Sequence, residues 1–122
     1  HLAAYCKEQG VELVLYRSVS TTWTRTNSRD AAALAEELGL EFIDFNAIYD
    51  EVGIDPDQDI YDEAHINYFG SVKISAYLGQ YLEDRFGFTD KRADAAYSRW
   101  HEDYNRMMTN MEKYPGYIEN KE

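Results

Sequence analysis

The chain has 122 residues, enough for one domain around one core. Its net charge of −11 at pH 7 argues against nucleic acid and anionic membrane surfaces as partners, and 15% aromatic residues argue for a packed globule. A single cysteine, Cys6, excludes an internal disulfide, and no apolar run approaches the ~18 residues of a bilayer-spanning helix.

His1-Leu2-Ala3-Ala4-Tyr5-Cys6 reads as a helix already under way, with Leu2, Tyr5 and Cys6 on one face. No N-cap residue, initiator methionine or signal peptide precedes it, so the chain is expected to be a piece of a longer protein. Gly10 suits the left-handed position past the end of that helix. Val11 to Tyr16 is a near-continuous apolar run, the pattern of a strand buried on both faces of a parallel sheet. The polar loop from Arg17 to Asn27 follows. Parallel sheets place ligands in loops after the C-terminal ends of their strands. Ser18 and Trp23 are therefore candidate substrate-binding residues, although a tryptophan there can equally fold back onto the core.

Ser28 or Asn27 can cap a second helix, about Arg29 to Leu38, whose Ala31, Leu34, Ala35 and Leu38 share one face. Gly39 closes it, and Glu41 to Asn46 forms a second strand. The helix-strand-helix-strand order with short connections favours adjacent parallel strands. Ala47 to Ile60 is a connector with one helical turn near Ala47 to Glu51. Within it, Asp55-Pro56-Asp57-Gln58-Asp59 has the alternating carboxylates of a calcium loop. The sixth position is Ile60 and the twelfth Ile66, where such a loop needs Gly and Glu, so a solvated acidic loop is expected.

Asn67 is placed to cap a helix from Tyr68 to Arg85, with Ile74, Leu78, Tyr81 and Leu82 on its buried stripe and Gly87 as its stop. Asp90 can cap a last helix, about Lys91 to Tyr114. Its Tyr97, Trp100, Tyr104, Met107 or Met108 and Met111 form a seam expected to be packed, with Trp100 and Tyr104 largely buried against the chain itself or against a second copy. The tail from Pro115 to Glu122 is polar and expected to be loose. No repeat or linker divides residues 1–122, which read as a single α/β domain. Two parallel strands leave two open edges, so further strands from a missing N-terminal part, or a second copy, are expected to cover them.

The stretch that carries chemistry is Tyr61-Asp62-Glu63-Ala64-His65-Ile66-Asn67-Tyr68-Phe69-Gly70. Histidine is the side chain best suited to carry protons near neutral pH, and it is a general base when one ring nitrogen is held and the other is free. Asp62, three residues before His65 on a loop feeding a helix, can do the holding. A bare D-x-x-H in an Asp-rich chain is also what an ordinary loop histidine near a helix start looks like.

Taken with the strands Val11 to Tyr16 and Glu41 to Asn46, with Asp59-Ile60-Tyr61-Asp62 to Gly70, and with Lys73 and Tyr77-Leu78, the chain resembles the C-terminal half of an SGNH/GDSL-type hydrolase, in particular DltD-like bacterial members. The likeness covers roughly residues 1 to 100. It implies a fragment of a parallel-stranded three-layer α/β/α, flavodoxin-like hydrolase domain with a long C-terminal helix. It implies that His65 takes the proton of a serine nucleophile while Asp62 accepts the other imidazole N–H, with Asn67 and Gly70 structural. It also implies an ester or carbohydrate-ester substrate, with no cofactor and no metal, and an extracytoplasmic, membrane-tethered setting. The nucleophile and oxyanion blocks of that family lie earlier in such proteins and have no counterpart here. Ser18 and Ser20 do not sit in a GDS-like turn, so the isolated chain is expected to be inactive. The competing reading is a non-enzymatic acidic α/β module that self-associates through its C-terminal helix.

Overall fold

In the computed structural model, which describes residues 2–113, helix α1 spans Leu2–Glu8 and the chain leaves it through a left-handed Gly10 (φ 66°). The Gly10 N–H donates to the Lys7 carbonyl (3.2 Å) and the Val11 N–H to the Cys6 carbonyl (2.8 Å). These are the paired bonds of a Schellman cap. Val11 is thereby committed to the helix end and stays exposed. The strand expected from Val11 begins only at Val14: β1 is Val14–Arg17.

Strand β2 is Glu41–Asp44. It pairs in parallel with β1, Val14 opposite Glu41 through to Arg17 opposite Asp44. It stops short of Asn46 because the Asp44 carboxylate accepts the Asn46 N–H (2.9 Å) and the Asp44 carbonyl accepts the Ala47 N–H (2.9 Å), turning the chain out of the sheet. Between the strands runs α2, Arg25–Leu38. It starts four residues earlier than expected, because Thr24 rather than Asn27 or Ser28 is its cap. The Thr24 hydroxyl accepts the Asn27 N–H (3.2 Å) and the Asn27 side chain accepts the Thr24 N–H (2.9 Å), a reciprocal capping box. Of its expected stripe only Ala35 is buried, while Leu34 and Leu38 remain exposed.

The connector holds two short helical turns, α3 (Tyr49–Val52) and α4 (Pro56–Asp59). Asp55 caps α4 by accepting the Asp57 N–H (2.9 Å), with Pro56 at the first helical position. The expected solvated acidic loop is therefore corrected at one residue. Asp59 is buried, with Lys73 of the next helix as its ion-pair partner.

That helix, α5, spans Tyr68–Phe86 with Asn67 as its cap and Gly87 in the left-handed position after it. Ile74 is the centre of its buried stripe. It packs with Val19, Ile43, Phe45 and Ile54 into one core, and Leu78 and Tyr81 lie against its edge. Ile43 on β2 and Phe45 in the turn just after it both belong to this core. Phe45 is fully buried and meets the Tyr77 ring edge-on, with centroids 5.5 Å apart.

The last helix differs most from expectation. Asp90 does not cap it. Its carboxylate accepts the Arg92 N–H (2.8 Å) and binds the Arg92 guanidinium, which holds the Asp90 carboxyl down at about 2. Asp94 caps a 3-10 turn, Ala95–Tyr97, and α6 follows as Ser98–Glu112. Tyr114 and the tail from Pro115 lie outside the described residues. Within the chain Trp100 is 74% exposed and Tyr104 54% exposed, so the expected burial against the chain's own elements is not met. A contact between α5 and α6 lies farther along the helix than Trp100. It is the Tyr68 hydroxyl against the Met108 sulfur (3.8 Å). Trp100 lies eight residues before Met108, about 12 Å back along the helix axis, beyond the reach of that contact. The architecture is thus a mixed α/β fold with a two-stranded parallel sheet, whose outer edges are unpaired among the described residues. Trp100→Ala should change the stability of the dilute chain by less than ~1 kcal/mol in urea unfolding, the range for an exposed side chain.

Candidate functional site

The loop between α4 and α5 is closed at its base before any side chain of the site is considered. Ile60 and Ile66 form an antiparallel bridge. The Tyr61 N–H donates to the His65 carbonyl (2.8 Å) and the Asn67 N–H to the Asp59 carbonyl (2.9 Å). The Asn67 side chain works in both directions: its amide donates to the Gln58 carbonyl (2.6 Å) and its oxygen accepts the Gly70 N–H (3.1 Å). Gly70 is required by the closeness of this packing. A β-carbon there would stand 2.5 Å from the Asp59 carbonyl oxygen, a backbone atom that cannot move aside.

Asp59 anchors the base. Its carboxylate accepts the Asp55 N–H (2.7 Å) and pairs with the Lys73 ammonium (2.5 Å), which is partly in water. Buried carboxylates persist when paired and hydrogen-bonded in this way.

At the tip of the loop, one oxygen of Asp62 accepts the backbone N–H of Ala64 (2.8 Å) and of His65 (2.9 Å). The two oxygens of the same carboxylate stand 2.8 and 3.0 Å from His65 Nδ1. With an ionised carboxylate there, Nδ1 is the protonated nitrogen and Nε2 is left as an acceptor. Nε2 has no hydrogen-bond partner among the described residues, and the His65 side chain is 73% exposed. The structure therefore brings Asp62 and His65 together in the geometry of a held base.

The Asp62 carboxyl is kept below its ordinary value, first by the Ala64 N–H and next by the His65 ring. A carboxylate whose folded value is depressed adds stability above its unfolded value, and that stability is lost as pH falls through the folded value.

The tip is also tied to the loop after β1. The Glu63 carbonyl accepts the Thr21 N–H (2.9 Å), the Ser20 hydroxyl (2.8 Å) and the Thr21 hydroxyl (3.2 Å). Asn46, just past β2, accepts the Ser20 N–H (2.9 Å) and donates to the Ser18 carbonyl (3.3 Å). The site loop thus stands at the C-terminal ends of the two strands, beside the loop that carries Ser18 and Trp23.

Those two residues do not share the surface His65 faces. The Trp23 indole N–H donates to the Ser28 hydroxyl (2.8 Å) and the Arg17 guanidinium lies over the ring (4.9 Å), so Trp23 folds back onto the start of α2. Ser18 is half-buried, with its carbonyl held by Asn46. Ser20 is buried as a strut.

His65 opens instead onto a groove of about 1090 Å³ between the first two turns of α5 and the C-terminal half of α6. Sequence reasoning missed this groove, and with it Ser71 and Ser75. Their spacing of four, which places them on one helix face, was the available signal. Asp59 and Asn46 were missed because their roles depend on backbone groups distant in sequence. Among the described residues no cluster of three or more His, Cys, Asp or Glu side chains is placed to hold a metal ion, and no helix is long and apolar enough to cross a membrane.

Comparison with protein-family models, with curated proteins and with solved structures finds no match to this chain.

The Asp62 carboxyl carbon, followed by NMR through an acid titration, should show a midpoint below 3.8. The midpoint should rise in His65→Ala yet stay below 3.8, because the Ala64 N–H bond survives. A full return to 3.8 on losing the ring would show that the loop's backbone bonds to Asp62 do not form.

Proposed function

We propose that this chain supplies the Asp-His half of a Ser-His-Asp site for ester hydrolysis or acyl transfer, as the C-terminal part of an SGNH/GDSL-type, three-layer α/β/α hydrolase. The observation that carries the reading is the His65 ring, held at Nδ1 by both oxygens of Asp62 and open at Nε2. In the reaction a serine O–H gives its proton to Nε2 as its oxygen bonds to the ester carbonyl carbon. Asp62 stabilises the resulting imidazolium, and the proton then passes to the departing alcohol.

The reading places the nucleophile and the oxyanion donors outside this chain. Ser20 is unsuited because its hydroxyl is buried and donated to the Glu63 carbonyl. Ser71 spends its hydroxyl on the Tyr68 carbonyl (2.7 Å) in the ordinary manner of helix serines. The partners implied are an ester or carbohydrate-ester substrate and the rest of the hydrolase domain, whose strands would pair with the open sheet edges and cover the exposed Leu34, Leu38 and Tyr16.

A second reading is favoured by the exposed Trp100, Tyr104 and Met107: a non-enzymatic module that self-associates through α6. Under it, light scattering at high concentration gives a dimer that Trp100→Glu converts to monomer. A wild-type monomer eliminates it.

The enzymatic reading is checked by p-nitrophenyl acetate turnover. The 122-residue chain should show no His65-dependent rate. In the longer protein, His65→Ala should lower turnover by at least ~10³, since loss of the base disables the triad. Equal rates for wild type and His65→Ala in the longer protein would remove the catalytic role. His65-dependent turnover by the short chain would place a nucleophile within it, with Ser71 and Ser75 the first to replace.

A further inference from the structure

We infer that the groove between α5 and α6 receives the acyl chain of a neutral ester whose carbonyl lies at His65, an assignment that rests on the catalytic reading above. Four observations support it. His65, with Nε2 open, is part of the groove wall. The wall beyond it is apolar, built from Val72 and Tyr68 on α5 and from Tyr104, Met107 and Met111 on α6. Methionine side chains bend to fit flexible chains. The volume, about 1090 Å³, is near the upper end for small-ligand sites.

The charge pattern selects the ligand class. Among the described residues the two charged ones on the wall, Asp103 and Arg106, neutralise each other at 2.6 Å. The remaining polar groups there include the uncharged Ser71, Ser75 and Asn110. Among the described residues, no unpaired Lys, Arg, Asp or Glu side chain is left on the wall to fix an ionised headgroup. The chain's net charge of −11 disfavours an anionic ligand, so a neutral ester is admitted and a free carboxylate product is repelled.

All three methionines, Met107, Met108 and Met111, lie on α6, so methyl labelling reports on this helix alone. The test is a titration of methyl-¹³C-methionine chain, with the His65 ring protons followed alongside by proton NMR, with 1-alkanols of four to ten carbons. Expected are saturable shifts of Met107, Met111 and the His65 ring, with affinity rising about three- to fourfold per added CH₂. The alkanoate of equal length should bind more weakly. Val72→Arg, at an exposed position, should abolish the shifts, and Ser75→Trp serves if that variant does not fold. His65→Ala should retain alkanol binding.

Absence of saturable shifts, methionine shifts without any at His65, or binding unchanged in the groove variants would overturn the inference. So would methyl shifts on simple dilution that show the groove covered by a second copy. Because the readout is binding, the groove can fail while His65-dependent turnover stands. If turnover in the longer protein proves independent of His65 while the groove binds alkanols, it is the catalytic reading that fails, and the ester assignment with it.

Discussion

The close approach of α5 to the loop that precedes it is the constraint on which the rest of the site depends. Asp59 sits at the contact, buried, with its carboxylate divided between the Asp55 N–H and the Lys73 ammonium and its carbonyl receiving the Asn67 N–H. The helix comes near enough for this only because residue 70 has no side chain. An unpaired carboxylate buried at that point would be costly, so Lys73 and Asp59 hold each other in register and fix where α5 begins. Asn67, as cap, then converts that start into the exit of the loop.

Given fixed ends, the seven residues between Asp59 and Asn67 have little freedom. The Ile60–Ile66 bridge closes the neck, and Asp62 organises the tip by accepting two backbone N–H groups before it meets the imidazole. Asp62 therefore holds both the backbone of the tip and the imidazole ring, with Oδ1 shared between the two. The backbone bonds keep the carboxylate ionised and aimed, which is the condition for holding His65 at Nδ1 and leaving Nε2 open. The three donors on the Glu63 carbonyl carry this arrangement to the strand ends. The sheet and the His65 loop are thereby joined through hydrogen bonds gathered on one main-chain carbonyl.

The same economy explains what is uncovered. The core gathers where α5 meets Ile43 and Phe45, and little of α1, α2 or α6 reaches it. Apolar side chains on those helices are exposed, and both strands have an unpaired edge among the described residues. Surfaces of this kind are what further strands, a second copy or an apolar ligand would cover.

Local signals in the sequence determined much. The Asn67 cap, the glycine stops at Gly10, Gly39 and Gly87, the parallel order of two strands and the D-x-x-H spacing are all matters of neighbouring residues, and the structure contains each of them. Where several neighbours compete for one role, local signals were ambiguous. Thr24 outcompeted Ser28 because Asn27 answers it in a capping box, and Asp90 was drawn to Arg92, leaving Asp94 to start the last helix segment. Tertiary structure alone decided the burial of Asp59, the triple use of the Glu63 carbonyl and the exposure of Trp100. Each depends on how close two elements lie that are distant in the chain, and periodicity can mark a helix face as apolar without saying what comes near enough to cover it.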